Sequence, residues 1–222
     1  MKESLINKLI LISKNRQVKN DPSHDFQHVQ RVLNLAVEIG KKVEADLDIV
    51  IPAALFHDTV VYRKDSPKSK YETDESAEVA GHILKKIREY PKEKIEKVKI
   101  CIRQCSFSKG IIPDILESKV LQDADMLEST GAISIMRTFS SGGQMNRPFY
   151  DLNDPFCKKG LFGVHSGLWL FYKRLLLVEK RMHTKFAKKI AKRRTNFLIT
   201  FLDEFKKELI ETEIIYEKRR SR

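Results

Sequence analysis

Six of the nine glycines in this 222-residue chain lie between Gly131 and Gly167, and the rest of the sequence contains only three. An all-β fold needs turn residues at every reversal of the chain, so most of this sequence is poorly suited to one. Proline is also scarce, with seven residues. Long stretches without either residue favour helices, and we expect an all-α fold.

Apolar residues recur at intervals of three and four through most of the chain, which is typical of amphipathic helices. The second helix is expected to have Asp21 as its N-cap and Pro22 at its first position. The predicted helices cover residues 2–14, 22–44, 47–60, 72–89, 92–105, 117–140 with a break at Gly131, 164–179 and 181–213. Residues 140–161 are predicted to form a long loop, and because such loops are usually functional or mobile, this one is a candidate lid or substrate wall.

The cysteines and the N-terminal residues indicate a compartment for the protein. Cys101, Cys105 and Cys157 are odd in number and have no Cys-x-x-Cys spacing, so neither a disulfide framework nor a cysteine zinc site is indicated. The apolar run near the N-terminus is too short for a signal peptide core, and no run approaches the length of a membrane span. We therefore expect a cytoplasmic protein with no membrane association.

The net charge of +12 is concentrated in residues 173–222, which contain sixteen Lys and Arg against seven Asp and Glu. Such a segment could bind nucleic acid through phosphate contacts, or it could attract anionic substrates and keep the protein soluble. The basic residues alternate with apolar ones at helical spacing, which is typical of the solvated face of an amphipathic helix. Because no groove-reading element is evident, we do not expect specific nucleic-acid binding.

Metal-binding side chains occur at three places where burial is expected. His28 precedes Val32 and other apolar residues at helical spacing, so its ring should point inward. The pair His57 and Asp58 follows an apolar run near a helix end, and Asp125 lies on an otherwise apolar strip. Taken singly, such a histidine is more often a hydrogen-bonded core residue, and such an aspartate is more often a helix cap.

The ordered set is more informative than any one of its members. Two carboxylates buried among neutral imidazoles are very costly without compensation, and a divalent cation removes that penalty. Two nitrogens and two carboxylate oxygens suit Mn²⁺, Fe²⁺, Co²⁺, Ni²⁺ or Zn²⁺ rather than a thiolate site. Four protein ligands in an octahedral shell would leave two positions for water or phosphate, which indicates a catalytic site.

The sequence resembles the HD superfamily of metal-dependent phosphohydrolases, whose signature is a histidine, a later His-Asp doublet and a distant aspartate. The segments SHDFQHVQRV, AALFHD, SFSKGIIPDILESKVLQDADMLESTGAISIMR and NRPFYDLNDPF are similar to a bacterial subfamily of small stand-alone HD hydrolases. The resemblance implies an HD-type helical bundle and metal ligands at His28, His57, Asp58 and Asp125. Some members of the subfamily hydrolyse nucleoside triphosphates to monophosphate and pyrophosphate, and the resemblance implies this reaction as a possible activity.

On this resemblance we expect a single HD-type domain over residues 1–222. It comprises a metal-binding core at about 20–140, the loop at 140–161 and a C-terminal extension of two long helices at 164–215.

Two rival ligands and one departure from the pattern need attention. His24 also precedes an aspartate, but the family's first ligand precedes a segment like VQRV, which selects His28. Asp123 lies about 200° around a helix from Asp125, so only one of them can face the ion, and we assign Asp123 to a supporting position or to solvent. The subfamily usually has histidine where this chain has Cys105, which weakens a two-metal interpretation; nothing nearby would activate that thiol as a nucleophile.

The expected catalyst is a divalent ion, with Mn²⁺ favoured and Mg²⁺ also possible. Such an ion lowers the pKa of bound water and polarises a phosphoryl oxygen. Asp58 is both a ligand and a catalytic residue in this prediction; His24 would donate a proton to the leaving group, and Asp25 would orient a neighbour or act as a base.

The expected substrate is a nucleotide or another small phosphate ester or anhydride. Arg31 and Lys64 are the predicted substrate-binding cations, although either could be an ordinary surface charge. Two alternatives stay open: a nucleic-acid or nucleotide binding module that keeps the metal site with little turnover, and a scaffold in which the metal is only structural.

Overall fold

The computed structural model describes residues 1–16, 25–62, 66–161 and 163–212, apart from the side chain of Ser108. Within these ranges the chain forms helices and no β-strand, so the all-α prediction is confirmed. No helix of the described part combines the length and the apolar character needed to cross a membrane.

The described residues form two compact units. The first is Met1–Glu128 with Met182–Lys188, and the second is Ser129–Arg181 with the described part of Lys189–Arg222. The first unit thus ends inside the expected core of residues 20–140, and a short later segment completes it. The single domain over residues 1–222 stays a prediction.

The first unit contains six complete α-helices among its described residues. They are α1 (Glu3–Arg16), α2 (Phe26–Lys42), α3 (Leu47–Phe56), α4 (Glu72–Lys86), α5 (Ile95–Gln104) and α6 (Leu116–Leu127). The predicted spacing is borne out in α2, where Val29, Val32, Ala36 and Ile39 are buried on one face. Asp25 is the N-cap of α2 and accepts a hydrogen bond from the backbone nitrogen of His28 at 2.9 Å. The prediction that this helix covers 22–44 was therefore wrong at its start; Asp21 and Pro22 lie outside the described residues.

Helix α3 lies at the centre of the first unit and packs against α1, α2, α4, α5 and α6. Eight of its ten residues are buried, including Pro52. Proline has no backbone N–H, so Pro52 cannot donate to the carbonyl of Asp48 four residues earlier. The hydroxyl of Tyr90 donates to that carbonyl at 2.8 Å instead. A buried tyrosine thus compensates for the proline, and the apolar helix continues to Phe56.

The second unit corrects two predicted boundaries. Its helices are α7 (Ala132–Gln144), α8 (Gly167–Lys173), α9 (Val178–Arg181) and, from Lys189 onward, most of α10 (Lys185–Glu211). Helix α7 continues to Gln144, so the loop predicted at 140–161 begins five residues later. Glycine weakens a helix by only about 1 kcal/mol, and here Gly142 is buried on the same face as Thr138, so packing overrides its low propensity.

The helix predicted over residues 164–179 is in fact broken. Ser166 caps α8 by accepting a hydrogen bond from the Trp169 nitrogen at 3.1 Å, and α8 ends before Arg174. A 3₁₀ turn over Leu175–Leu177 then leads to the short helix α9. Only α10 is long. The predicted break at Gly131 is confirmed. Helix α6 has already ended at Leu127, and Gly131, whose φ of 85° suits glycine, is the N-cap from which α7 begins.

Asp123 connects α6 to the start of α10 within the first unit. Its carboxylate accepts hydrogen bonds at 2.8 Å from the backbone nitrogens of His183 and Thr184 and from the Thr184 hydroxyl. The Thr184 oxygen in turn caps α10 by accepting from the Ala187 nitrogen at 3.2 Å. Asp123 is fully buried, so its assignment to solvent was wrong. Its carboxylate oxygens accept hydrogen bonds at the start of α10 and do not support a ligand of the ion.

We expect Asp123→Ala to lower the free energy of unfolding by about 3 kcal/mol, because it leaves three donors of the α10 start without their buried acceptor. Urea denaturation followed by circular dichroism measures the change. Asp203→Ala, an exposed aspartate on the same α10, is the control and should change stability by less than about 0.5 kcal/mol. Equal effects of the two variants would contradict the role given to Asp123.

Candidate metal centre

Three helix ends bring the four predicted ligands together. His28 lies in the first turn of α2, held there by the Asp25 cap. His57 is the C-cap of α3, with Asp58 directly after it, and Asp125 lies in the last turn of α6. The carbonyl ends of α3 and α6 carry partial negative charge, which favours a cation at this place.

We call His28, His57, Asp58 and Asp125 the four-residue cluster. Asp58 Oδ2 lies 3.5 Å from Nε2 of His28 and 3.5 Å from Nε2 of His57. Asp125 Oδ1 lies 3.6 Å from Nε2 of His28. One ligand atom each from His28, His57 and Asp125 lies within 4.8 Å of the others. Residues up to 97 positions apart in the sequence therefore share one small space.

The second nitrogen of each imidazole fixes which nitrogen faces this space. Nδ1 of His57 donates to the carbonyl oxygen of Ala54 at 2.8 Å, because a carbonyl can only accept. Nδ1 of His28 lies 3.4 Å from Oε2 of Glu128, which is likewise an acceptor when ionised. A neutral imidazole has one N–H, so both Nε2 atoms are assigned a lone pair that faces the cluster.

This arrangement fits a divalent cation. Nε2 of His57 is buried and makes no hydrogen bond to any described residue, and it faces a carboxylate oxygen at 3.5 Å. Two donor atoms bound to one ion at about 2.1 Å would be about 3.0 Å apart at an octahedral angle and about 3.4 Å apart at a tetrahedral one. The observed separations are slightly larger, and the donor set of imidazole nitrogen and carboxylate oxygen suits first-row divalent ions.

Burial gives the cluster a closed and an open side. The side chains of His28 and His57 are 0% and 1% exposed, whereas those of Asp58 and Asp125 are 25% and 26% exposed. The imidazoles therefore form a dry base, and the carboxylates lie toward solvent. A ligand from solution can reach this centre from the carboxylate side.

Glu128 is a site residue that the sequence interpretation missed. Its carboxylate is buried, lies beside His28 and accepts a hydrogen bond from Nε of Arg31 at 2.7 Å. Burial acts to raise the pKa of Glu128, but hydrogen bonds from His28 and Arg31 outweigh it and hold the pKa below its usual value. Its place three residues after Asp125, on the same face of the helix, was the available signal.

The other predicted site residues have different outcomes. Arg31 lies beside the cluster, with its Nε bonded to Glu128 and its side chain one-third exposed. Asp25 has a structural role as the cap of α2, and its catalytic role stays a prediction. His24 and Lys64 lie outside the described residues.

Cys105 is buried near the cluster. Its burial, together with the charges of Asp125 and Asp58, raises the pKa of the thiol well above the usual value. A thiol in these surroundings stays protonated at neutral pH and is a poor nucleophile. The geometry agrees with the expectation that Cys105 is not the attacking group.

The remaining described histidines have contacts of their own elsewhere. Nδ1 of His82 donates to the Glu78 carbonyl at 2.7 Å on the surface. The His165 ring stacks on Trp169, and Nε2 of His183 lies 2.6 Å from the side-chain oxygen of Gln122. Leaving these three out of the predicted ligand set agrees with the structure.

Comparison with known proteins relates this chain to the HD domain family. The HD domain profile matches residues 25–130, which contain the whole cluster and Glu128. An uncharacterized protein of Bacillus subtilis, YpgQ, is 32% identical over 192 residues, which cover 84% of each chain. The crystal structure of YpgQ in complex with ADP has a TM-score of 0.69 and 27% identity, covering 92% of this chain and 97% of that one.

A second solved structure supports the same relationship. The crystal structure of an HD-superfamily hydrolase from Bacillus thuringiensis has a TM-score of 0.68 and 29% identity, covering 94% of this chain and 98% of that one. HD domains bind a divalent metal ion, which agrees with the grouping of His28, His57 and Asp125.

We expect Mn²⁺ to raise the thermal unfolding midpoint of EDTA-treated protein by roughly 5–10 °C. An ion that binds only the folded state adds about 2.7 kcal/mol at 100 times its Kd, and each kcal/mol shifts the midpoint of a chain this size by about 2–4 °C. Thermal unfolding is followed by circular dichroism. Asp125→Asn should remove most of the shift, and His82→Ala, which changes a surface histidine, should keep it. A full shift in Asp125→Asn would contradict the assignment of the cluster.

Proposed function

The chain belongs to the HD superfamily, whose solved relatives include hydrolases, and from that premise we propose that it is a divalent-metal-dependent phosphohydrolase that acts on a nucleotide. The observation that carries the proposal is the four-residue cluster, in which two imidazole lone pairs face two carboxylates. Without a cation these groups would repel one another. The complex of YpgQ with ADP supports a nucleotide as the substrate class.

His28, His57, Asp58 and Asp125 would hold the ion, and we propose Mn²⁺ because this donor set suits a first-row divalent metal. When bound, such an ion supplies Lewis-acid activation of water and of a phosphoryl oxygen. The buried imidazoles keep one side of the centre dry, and the partly exposed carboxylates leave the other side open to a substrate.

The chain's own polar groups would do the remaining work. Arg31, whose side chain is one-third exposed beside the cluster, is proposed to bind a substrate phosphate. His24 is proposed as the proton donor to the leaving group, and Asp25 as a residue that orients its neighbour in addition to capping α2. Lys64 is the second proposed phosphate-binding cation. The proposed products from a nucleoside triphosphate are a nucleoside monophosphate and pyrophosphate.

The test is a panel of nucleoside mono-, di- and triphosphates, incubated with EDTA-treated protein and Mn²⁺, Mg²⁺, Co²⁺, Ni²⁺, Fe²⁺ or Zn²⁺. Chromatography identifies the nucleotide product, and separate assays measure phosphate and pyrophosphate. We expect turnover that needs added metal, is fastest with Mn²⁺ and yields pyrophosphate from triphosphates. Phosphate as the sole inorganic product would contradict the proposed site of bond cleavage. The absence of turnover with every metal would contradict the proposal that the protein is a phosphohydrolase.

We expect His57→Ala and Asp125→Asn to lower kcat/KM by more than about 100-fold while the far-ultraviolet circular dichroism spectrum stays unchanged. Even the hydrogen-bond partners of metal ligands are worth 10–100-fold, so loss of a ligand should exceed that range. His82→Ala is the matched control and should retain activity. Unfolding of His57→Ala in place of selective inactivation would favour the structural-metal alternative.

The binding-module alternative makes a different prediction for the same protein. It expects no turnover together with oligonucleotide binding that weakens steeply as salt rises, because counterion release dominates phosphate-backbone contacts. Fluorescence anisotropy with a labelled oligonucleotide at two salt concentrations measures this. Turnover of small nucleotides without such binding favours the hydrolase.

A further inference from the structure

One oxygen of Glu128 accepts from two different residues. Oε2 lies 2.7 Å from Nε of Arg31 and 3.4 Å from Nδ1 of His28. The Glu128 side chain is 1% exposed, so water cannot replace either donor. The guanidinium of Arg31 can only donate, so Oε2 is the acceptor in that contact, and the same buried oxygen faces Nδ1 of His28.

We propose that Glu128 is a positioning residue that prepares His28 to bind the metal and Arg31 to bind the substrate phosphate. The inference rests on the proposed function and extends it to a residue outside the four-residue cluster. Glu128 acts through its two hydrogen bonds and touches neither the metal nor the substrate itself.

The first effect concerns the proton of His28. A neutral imidazole has one N–H, and Asp58 and Asp125 lie 3.5 and 3.6 Å from Nε2, where they would attract it. A proton on Nε2 would occupy the lone pair that a metal needs. Glu128 is the competing acceptor at Nδ1, and it retains the proton there. The carboxylate thus selects the tautomer in which Nε2 is available to the metal.

The second effect concerns the guanidinium of Arg31. Its hydrogen bond to Glu128 uses Nε, the nitrogen nearest the side-chain stem. Among the described residues this is its only hydrogen bond, so the terminal nitrogens remain available. A guanidinium held at Nε has lost much of its freedom of rotation, and its fixed fork of donors suits a phosphate group. Because both contacts end on the same oxygen, Arg31 and His28 are held at a fixed separation.

The primary experiment measures Mn²⁺ affinity by calorimetry in the full-length protein and needs no turnover. Circular dichroism first shows that each variant is folded at the temperature used. Glu128→Ala should raise the Kd for Mn²⁺ by about 10–100-fold, the range for hydrogen-bond partners of metal ligands. Glu128→Gln keeps an acceptor oxygen but loses the charge, so we expect a smaller loss, near tenfold.

The matched control is Glu117→Gln on the same helix α6. Glu117 accepts a hydrogen bond from the Asp46 nitrogen at 3.1 Å, and among the described residues it has no hydrogen bond or ion pair with the cluster. The Kd of the Glu117→Gln variant for Mn²⁺ should therefore stay within twofold of wild type. A merely structural role for Glu128 would lower its unfolding midpoint without changing Mn²⁺ affinity in the folded protein. If Glu128→Ala does not fold, Glu128→Gln decides the question, since an unchanged Kd would overturn the inference.

A second measurement tests the effect on Arg31, with ADP as the probe at saturating Mn²⁺. Glu128→Ala and Arg31→Ala should each weaken ADP binding, and the double variant should be weaker than Arg31→Ala by less than twofold, because both changes disable the same donor. Fully additive losses would overturn the link between the two residues.

The Mn²⁺ measurements also separate the two proposals. Wild-type protein that binds no Mn²⁺ would overturn the proposed function and the inference together. Mn²⁺ binding that is equal in wild type and both Glu128 variants would overturn the inference alone.

Discussion

The candidate site depends on the close approach of two imidazole nitrogens to two carboxylates, which repel one another when the nitrogens carry lone pairs. His28 and His57 each direct Nδ1 to an acceptor, Glu128 and the Ala54 carbonyl, which turns both Nε2 lone pairs toward Asp58 and Asp125. The two imidazoles lie at the dry base of the site, and the two carboxylates lie on its open side. A divalent cation bound here would convert that repulsion into coordination, so the same electrostatics would link this arrangement to the metal-dependent chemistry that we propose.

Helix α6 arranges that site by using its opposite faces for different tasks. Asp125 and Glu128 lie on one face and meet α2, whereas Asp123 points away and binds the backbone at the start of α10. The two-residue interval between Asp123 and Asp125 separates their directions by about 200°. A single helix therefore contributes to the candidate metal centre on one side and anchors a later segment of the chain on the other.

The sequence was most informative about the kind of secondary structure and least informative about where each helix ends. The apolar spacing correctly indicates α2, but the cap at Asp25 sets its start at Phe26. Gly142 lies inside α7 although glycine argues for a loop, because burial next to Thr138 outweighs a propensity difference of about 1 kcal/mol. Helix ends depend on which side chain reaches an unpaired backbone group, and that competition is decided by packing.

The order of His28, His57, Asp58 and Asp125 determined the superfamily, the class of reaction and the candidate ligands, because those residue types can be recognised wherever the chain places them. The buried side of the cluster and the contacts of Glu128 with His28 and Arg31 were decided only by the tertiary structure. Glu128 meets His28 across 100 residues and Arg31 across 97, and Asp123 meets the start of α10 across 60. Contacts at such separations exist only after the helices pack, since no local pattern specifies which distant donor a buried carboxylate will find.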